Sequence, residues 1–212
     1  LFARGGGKLD DAVEDQIEAR MNEPWERPTG QGVGRVIEDK DAAERYLKHL
    51  QSAVTTHLNG LKVVVDCANG AASYVAPEAL RRAGAEVMSV ANNPDGWNIN
   101  DGVGSTHLDF LKQQVKQHGA DLGIAHDGDA DRCLAIDANG EEVDGDQILA
   151  ILASGLSARG ELSKSTVVAT VMSNLGFLKA MERSNIKVEV TSVGDRYVLE
   201  KMLNEDLILG GE

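Results

Sequence analysis

The spacing of hydrophobic and polar positions changes near residue 60. Before it, apolar residues recur at helical spacing in two segments, 9–21 and 39–54, which a connector rich in Pro and Gly separates. Beyond it, short apolar runs alternate with amphipathic segments, the pattern of strands and helices in an α/β fold. The sequence therefore predicts an N-terminal helical segment followed by α/β structure.

The alternating part of the chain predicts eight strands and five helices. The strands are predicted at 61–66, 85–90, 121–127, 132–137, 141–145, 165–171, 186–193 and 207–210. The helices are predicted at 76–84, 107–119, 145–160, 175–184 and 195–205. Residues 63–90 and 167–193 share the order strand, turn, helix, strand. We therefore expect two related α/β units, with helices packed on largely parallel mixed sheets.

Composition and charge narrow the class of protein. The 212 residues are 42% hydrophobic and 26% charged, which is ordinary for a soluble globular protein. The formal net charge of −13 argues against a nucleic-acid partner, which needs a basic face. No apolar run is long enough to cross a bilayer, so we expect no membrane partner. Cys67 and Cys133 form neither a disulfide framework nor a zinc spacing, so a cytoplasmic location is expected.

An acidic loop follows one of the predicted buried strands, in the stretch "IAHDGDADRCLAID" (124–137). Asp127, Asp129 and Asp131 occupy every second position. In an extended segment such side chains face the same way, and three close carboxylates repel each other unless a cation lies between them. Oxygen-only ligands favour a hard ion, Mg²⁺ or Ca²⁺. Residues 127–132, named the aspartate loop below, are therefore either a metal site or a solvated acidic turn.

The aspartate loop is open to three other interpretations. An EF-hand fails, since Arg132 and Ala138 stand where that motif has Gly and Glu. A haloacid-dehalogenase-type phosphatase would use Asp127 as nucleophile and Asp129 as general acid. Leu199 stands where such enzymes have a further aspartate, so we rank this hypothesis second. A non-catalytic metal-binding module is a third.

Several ordered motifs carry a family resemblance. "DGDADR" (127–132) resembles the metal-binding loop of the α-D-phosphohexomutases. The segments that narrow the resemblance to the bacterial phosphoglucosamine mutase branch are "VVVDCANGAA" (63–72), "PDGWNINDGVGSTH" (94–107), "MSNLG" (172–176) and "VGDRYVLEKM" (193–202). The similarity runs over nearly the whole chain.

The resemblance implies a domain organisation. Members of this family have four domains, so residues 1–58 are expected to end the first, 59–158 to form the second with the metal loop, and 159–212 to begin the third. The active-site serine would lie upstream of residue 1 and a phosphate-binding domain beyond residue 212. We therefore expect this chain to be part of a longer enzyme and inactive alone. A homodimer is left open.

The resemblance also implies an activity and a metal. Family members interconvert glucosamine 6-phosphate and glucosamine 1-phosphate through a phosphoserine and a bisphosphorylated sugar. This isomerase reaction supplies UDP-N-acetylglucosamine for cell-wall synthesis. Asp127, Asp129 and Asp131 would hold one Mg²⁺ per chain. Arg132 would be catalytic and would contact the transferring phosphoryl group. The alternative, given equal weight, is that Arg132 is a surface arginine paired with an aspartate.

Residues near the end of the chain would bind the phosphosugar substrate. Gly194, Asp195 and Arg196 match a sugar-facing loop of the third domain, and their alternative is a plain helix capped by Asp195. Glu212 would open the loop that reads sugar hydroxyls. Two further residues are predicted to be structural. His126 is expected to have a packing role, and Cys67 is expected to lie in the core.

Overall fold

The computed structural model describes residues 3–54 and 56–212. It divides into a short unit, Leu1–Lys40, and a larger unit, Asp41–Glu212. Helix α1 (Asp11–Met21) lies in the short unit, and its N-cap Asp10 accepts a hydrogen bond from the Ala12 amide at 2.9 Å. The helix predicted at 9–21 is thereby confirmed.

A five-stranded sheet forms the first half of the larger unit. Its strands, in spatial order, are β2 (Glu86–Val90), β1 (Lys62–Asp66), β3 (Leu122–His126), β4 (Cys133–Asp137) and β5 (Glu142–Val143). The first three are parallel, and β4 and β5 continue the sheet in antiparallel pairs. Strand β1 lies between β2 and β3 and is covered on both faces, which explains its unbroken run of buried valines at 63–65.

Helices α3 (Ala72–Arg82) and α4 (Leu108–His118) pack on this sheet, and α2 (Ala42–Ala53) packs on α3. Helix α4 packs on β1 and β3 through Leu111 and Val115, both fully buried. Helix α2 packs on α3, where the Arg82 guanidinium donates two hydrogen bonds to the Glu44 carboxylate at 2.9 and 3.1 Å.

Helix α3 begins four residues earlier than predicted. The sequence placed its start at residue 76, so that Pro77 would fall in the first turn. In the structure Pro77 lies inside the helix and is buried with Ala72. Packing against the sheet offsets the one backbone hydrogen bond that the proline removes, so the helix extends back to residue 72.

Helix α5 (Gly145–Ala158) leads from the large sheet into the second half. A capping box fixes its start: the Gln147 amide donates to Asp144 Oδ1 at 2.8 Å, and the Asp144 amide donates to Gln147 Oε1 at 2.9 Å. The second sheet contains β6 (Thr166–Thr170) and β7 (Lys187–Thr191) in parallel, with helices α6 (Leu175–Arg183) and α7 (Asp195–Glu205).

Helix α5 shares a core with the smaller sheet. The buried residues of this core are Leu149, Ala153, Leu162, Val167, Ala169, Phe177, Met181 and Ile186. The predicted fold is confirmed: two α/β units with largely parallel sheets, together with an N-terminal helical segment.

The strand predicted at 207–210 does not form as a full strand. The segment lies parallel to β6 but joins it through one bridge, Val168 with Gly210. The Val168 amide donates to the Leu209 carbonyl at 3.0 Å, and the Gly211 amide donates to the Val168 carbonyl at 3.1 Å. This pairing is too short to count as a strand, yet it brings the end of the chain to the edge of β6. Among the described helices, none has both the length and the apolar character that crossing a membrane requires.

Candidate metal centre and cleft

Three loops meet at one edge of the large sheet. They follow the parallel strands β1, β2 and β3, whose carboxyl ends lie side by side. The aspartate loop follows β3 and reverses the chain into the antiparallel β4. Open parallel sheets commonly bind ligands at this edge, so the topology places the aspartate loop where a site is expected.

The structure brings the three predicted aspartates together. One carboxylate oxygen from each of Asp127, Asp129 and Asp131 lies within 4.8 Å of the other two. Asp127 is buried, whereas the other two are exposed. The convergence arises from a turn rather than from the extended segment that the sequence suggested. The Ala130 amide donates to the Asp127 carbonyl at 3.1 Å, and Ala130 has a positive φ of 61°.

Charge within the loop is partly balanced by Arg132. Its amide donates to Asp127 Oδ1 at 3.2 Å, and its Nε lies 3.2 Å from Asp127 Oδ2 and 3.8 Å from Asp131 Oδ1. The pKa of Asp131 is raised, first by loss of hydration and then by repulsion from Asp127 and Asp129. Three hard oxygen donors at this spacing, with three carboxylates against a single arginine, suit a divalent cation such as Mg²⁺.

The backbone of the aspartate loop rests on the loop that follows β1. The Ala71 amide donates to the Gly128 carbonyl at 2.8 Å. A Cβ atom added at Gly70 would lie 2.1 Å from the same carbonyl oxygen. Ile99 and Asn100 lie on the other side of Gly128, since a Cβ added there would meet their side-chain ends at 2.6 and 2.9 Å. The aspartate loop is therefore held between the two neighbouring loops.

One acidic residue at this edge, Asp66, was not among the candidate site residues that the sequence indicated. It ends β1, its side chain is fully buried, and its two oxygens accept hydrogen bonds from the Ala68 amide (2.9 Å) and the Gly104 amide (2.8 Å). Burial raises the pKa of Asp66, and the two hydrogen bonds oppose that rise. The available signal was a charged residue at the end of an otherwise apolar strand. The neighbouring Cys67 is fully buried, as predicted.

A cavity of about 980 Å³ opens beside the aspartate loop, between the two sheets of the larger unit. Asp131 and Arg132 line it from the first half. Gly194, Asp195 and Glu212 line it from the second. The structure thus brings most of the predicted metal and substrate residues around one space. Arg196 is directed along α7, where its Nε pairs with Glu200 Oε1 at 2.9 Å.

The two segments that were predicted to face the sugar meet at this cavity. The Gly194 amide donates to Glu212 Oε2 at 2.6 Å, which joins the start of α7 to the end of the chain. Gly194 is the N-cap of α7 and Asp195 its first residue, so the predicted capping role of Asp195 is wrong. A carboxylate in the first turn still interacts favourably with the helix dipole.

Two buried polar atoms near the cleft have no hydrogen-bond partner among the described residues: Ser105 Oγ and His126 Nδ1. The Ser105 amide donates to the His126 carbonyl at 2.9 Å, so the two residues are neighbours. His126 lies at the end of β3 and is half-buried, in keeping with its predicted packing role.

Comparison with protein-family models assigns the two halves of the larger unit. Residues 44–140 match phosphoglucomutase/phosphomannomutase, alpha/beta/alpha domain II. Residues 144–212 match domain III of the same family. The chain therefore belongs to the phosphoglucomutase/phosphomannomutase family.

Curated relatives narrow the similarity. The whole chain is 61% identical to the phosphoglucosamine mutase of Streptomyces griseus and 60% identical to that of Corynebacterium urealyticum. It spans about half the length of these relatives, 48% of each. These matches do not favour the phosphatase alternative.

Solved structures share the fold. A phosphomannomutase described as putative, from Thermus thermophilus, matches 98% of this chain and 48% of its own, with a TM-score of 0.75 and 21% identity. An N-acetylglucosamine-phosphate mutase in its apo form matches 77% of this chain and 40% of its own, with a TM-score of 0.60 and 20% identity. At these identities the likeness supports the fold alone.

Proposed function

We propose that this chain supplies the metal-binding loop and part of the sugar-binding surface of a phosphoglucosamine mutase. The observation that carries the proposal is the convergence of Asp127, Asp129 and Asp131 beside a cavity that Gly194 and Glu212 also line. The identity to two curated phosphoglucosamine mutases supports the choice of substrate. The proposed reaction interconverts glucosamine 6-phosphate and glucosamine 1-phosphate in the cytoplasm.

The three aspartates are proposed to hold one Mg²⁺. When bound, the ion would offset the negative charge that builds up on the oxygens of a transferring phosphoryl group. Arg132 already lies against Asp127 at 3.2 Å and lines the cavity. Its remaining guanidinium donors are proposed to contact the same phosphoryl group.

The second half of the larger unit is proposed to bind the sugar. Glu212 accepts a hydrogen bond from the Gly194 amide, and its carboxylate has lone pairs left for sugar hydroxyls. Asp195 and Arg196 lie in the first turn of α7, next to the amides of its N-terminus. We keep the proposal that residues 1–58 end the first domain of the family, 59–158 form the second and 159–212 begin the third.

A chimera tests this proposal directly. Residues 1–212 would replace the matching segment of the Streptomyces griseus enzyme, which supplies the other half of the polypeptide. We expect the chimera to convert glucosamine 6-phosphate to glucosamine 1-phosphate in the presence of Mg²⁺ and a bisphosphorylated sugar. Positioning of the reacting groups by the remaining domains accounts for much of the rate, so residues 1–212 alone should be inactive.

Two variants of the chimera separate the proposed roles. Asp127→Ala should lower kcat far more than it raises KM, because the aspartates act on charge that develops during transfer. Arg196→Ala should mainly raise KM for the phosphosugar. A folded chimera whose turnover is unaffected by Asp127→Ala would contradict the proposed function.

A further inference from the structure

Asp66 is a buried charge whose partners all belong to the backbone. Its side chain is fully buried at the end of β1, and it spans two loops: Oδ1 accepts from the Ala68 amide and Oδ2 from the Gly104 amide. A buried carboxylate is costly unless its oxygens are hydrogen-bonded, so these two bonds are strong constraints on where both loops lie.

The first of these loops is in direct contact with the aspartate loop. Ala68 and Asn69 both have positive φ values, 51° and 49°, a conformation that residues other than glycine rarely adopt. Two residues after Asn69, the Ala71 amide donates to the Gly128 carbonyl. Asp66 therefore stabilises an unusual backbone path that ends in a hydrogen bond to the aspartate loop.

The second loop reaches the same region from the other side. Gly104 has a φ of 82°, and a Cβ added there would lie 2.6 Å from both Ala68 Cβ and the His126 carbonyl oxygen. The next amide, that of Ser105, donates to this His126 carbonyl at 2.9 Å. Asp66 thus joins two loops next to the aspartate loop. One contacts His126, which precedes the aspartate loop, and the other contacts Gly128 within it.

We propose that Asp66 is a positioning residue, whose carboxylate fixes the two loops against which the aspartate loop is built. The inference rests on the proposed function in one respect only, namely that the aspartate loop holds a metal ion. The positioning itself concerns the order of the backbone at residues 126–132.

The chain offers a matched control at the opposite edge of the sheet. Asp121 Oδ2 accepts a hydrogen bond from the Lys62 amide at 2.7 Å, at the amino end of β1. It is the same kind of bond, from an aspartate to a backbone amide beside the same strand, but it lies away from the aspartate loop. Asp121 is exposed, so its variant controls for the loss of an aspartate–amide bond beside β1.

The test compares the wild-type chain with Asp66→Asn and Asp121→Asn, after circular dichroism has shown that each is folded. Hydrogen–deuterium exchange of peptides that cover residues 126–132 is the first measurement. We expect exchange there to be about tenfold faster in Asp66→Asn, since one of two charge-assisted bonds is replaced by an amide facing an amide. Exchange in Asp121→Asn should match the wild type. Wild-type exchange in a folded Asp66→Asn chain would overturn the proposal.

Titration with Mn²⁺, as a spectroscopic substitute for Mg²⁺, is the second measurement. Asp66→Asn should bind Mn²⁺ about tenfold more weakly, and Asp121→Asn should bind it as the wild type does. Equal affinity in the two variants would also contradict the proposal. If the wild-type chain binds no Mn²⁺, the proposed metal site fails, and the exchange data still decide whether Asp66 positions the loop.

A second variant covers the case in which Asp66→Asn does not fold. Asp66→Ser keeps a short acceptor for the Ala68 amide two residues further on, as serine does in such turns, and removes the oxygen that accepts from the Gly104 amide. It therefore cuts the connection that Asp66 makes between the two loops. Faster exchange at residues 126–132 would support the proposal, and unchanged exchange would overturn it.

Discussion

At the scale of single residues, Gly70 and Gly128 bring two loops of the candidate site into close contact. A Cβ at Gly70 would meet three backbone atoms of Gly128, at 2.1 to 2.7 Å. A Cβ at Gly128 would meet only the ends of the Ile99 and Asn100 side chains. Backbone cannot move aside as a side chain can, so the two glycines differ in what they tolerate.

This difference predicts unequal effects of the same substitution. Gly70→Ala should destabilise the chain by about 1–3 kcal/mol, as overpacking does, and should weaken Mn²⁺ binding by displacing the aspartate loop. Gly128→Ala should cost less than about 1 kcal/mol, because Ile99 is half exposed and can turn away. Urea denaturation and Mn²⁺ titration of both variants measure the two effects. Equal losses at both positions would contradict the contact described.

At the scale of elements, α5 connects the two sheets. It follows β5 directly, contacts β4 of the first sheet, and shares the core of the second through Leu149 and Ala153. Its outer face is apolar as well, with Ile151 and Leu152 64% and 48% exposed. Leu149 and Ile151 are therefore similar in size and two positions apart on one helix, but Leu149 is buried and Ile151 is exposed.

The two faces of α5 predict different costs of truncation. Leu149→Ala should lower the free energy of unfolding by about 2–5 kcal/mol, because it leaves a cavity in the core of the second sheet. Ile151→Ala, on the exposed face, should change it by no more than about 0.5 kcal/mol. Urea denaturation followed by circular dichroism compares them. A loss for Ile151→Ala as large as that for Leu149→Ala would mean that this face is covered in the chain.

Elements with strong periodicity could be predicted from the sequence, and features set by tertiary contacts could not. Strand β1 and helix α4 show clear strand and helix patterns and form close to where they were expected. The early start of α3 depends on packing that compensates for Pro77. The aspartates could be identified by spacing, but the role of Asp66 depends on Gly104, 38 residues away in sequence, which no local pattern reveals.

At the scale of the whole molecule, net charge sets the field around the candidate site. The chain carries a formal charge of −13, which attracts divalent cations and repels a phosphorylated sugar. The proposed contact between Arg132 and a phosphoryl group would therefore form against the overall field. Long-range attraction of a cation, in contrast, should add to the contacts within the aspartate loop.

The field predicts that metal affinity depends on ionic strength. The Debye length falls from about 30 Å at 0.01 M salt to about 8 Å at 0.15 M, so distant carboxylates lose their influence. The dissociation constant for Mn²⁺ should rise by about tenfold over this range. Tetramethylammonium chloride is the suitable salt, since its bulky cation screens charge without competing for carboxylates. An unchanged dissociation constant would show that only the three aspartates attract the ion.

The large sheet also has a consequence for the order of events during synthesis. All five of its strands, and the three loops that meet at its carboxyl edge, come from the uninterrupted stretch 62–143. Every backbone partner of the aspartate loop has therefore left the ribosome before α6, β7 and α7 are made. Since chains fold from the N-terminal side as they emerge, the half that contains the aspartate loop can mature before Gly194 and Glu212 exist to face it.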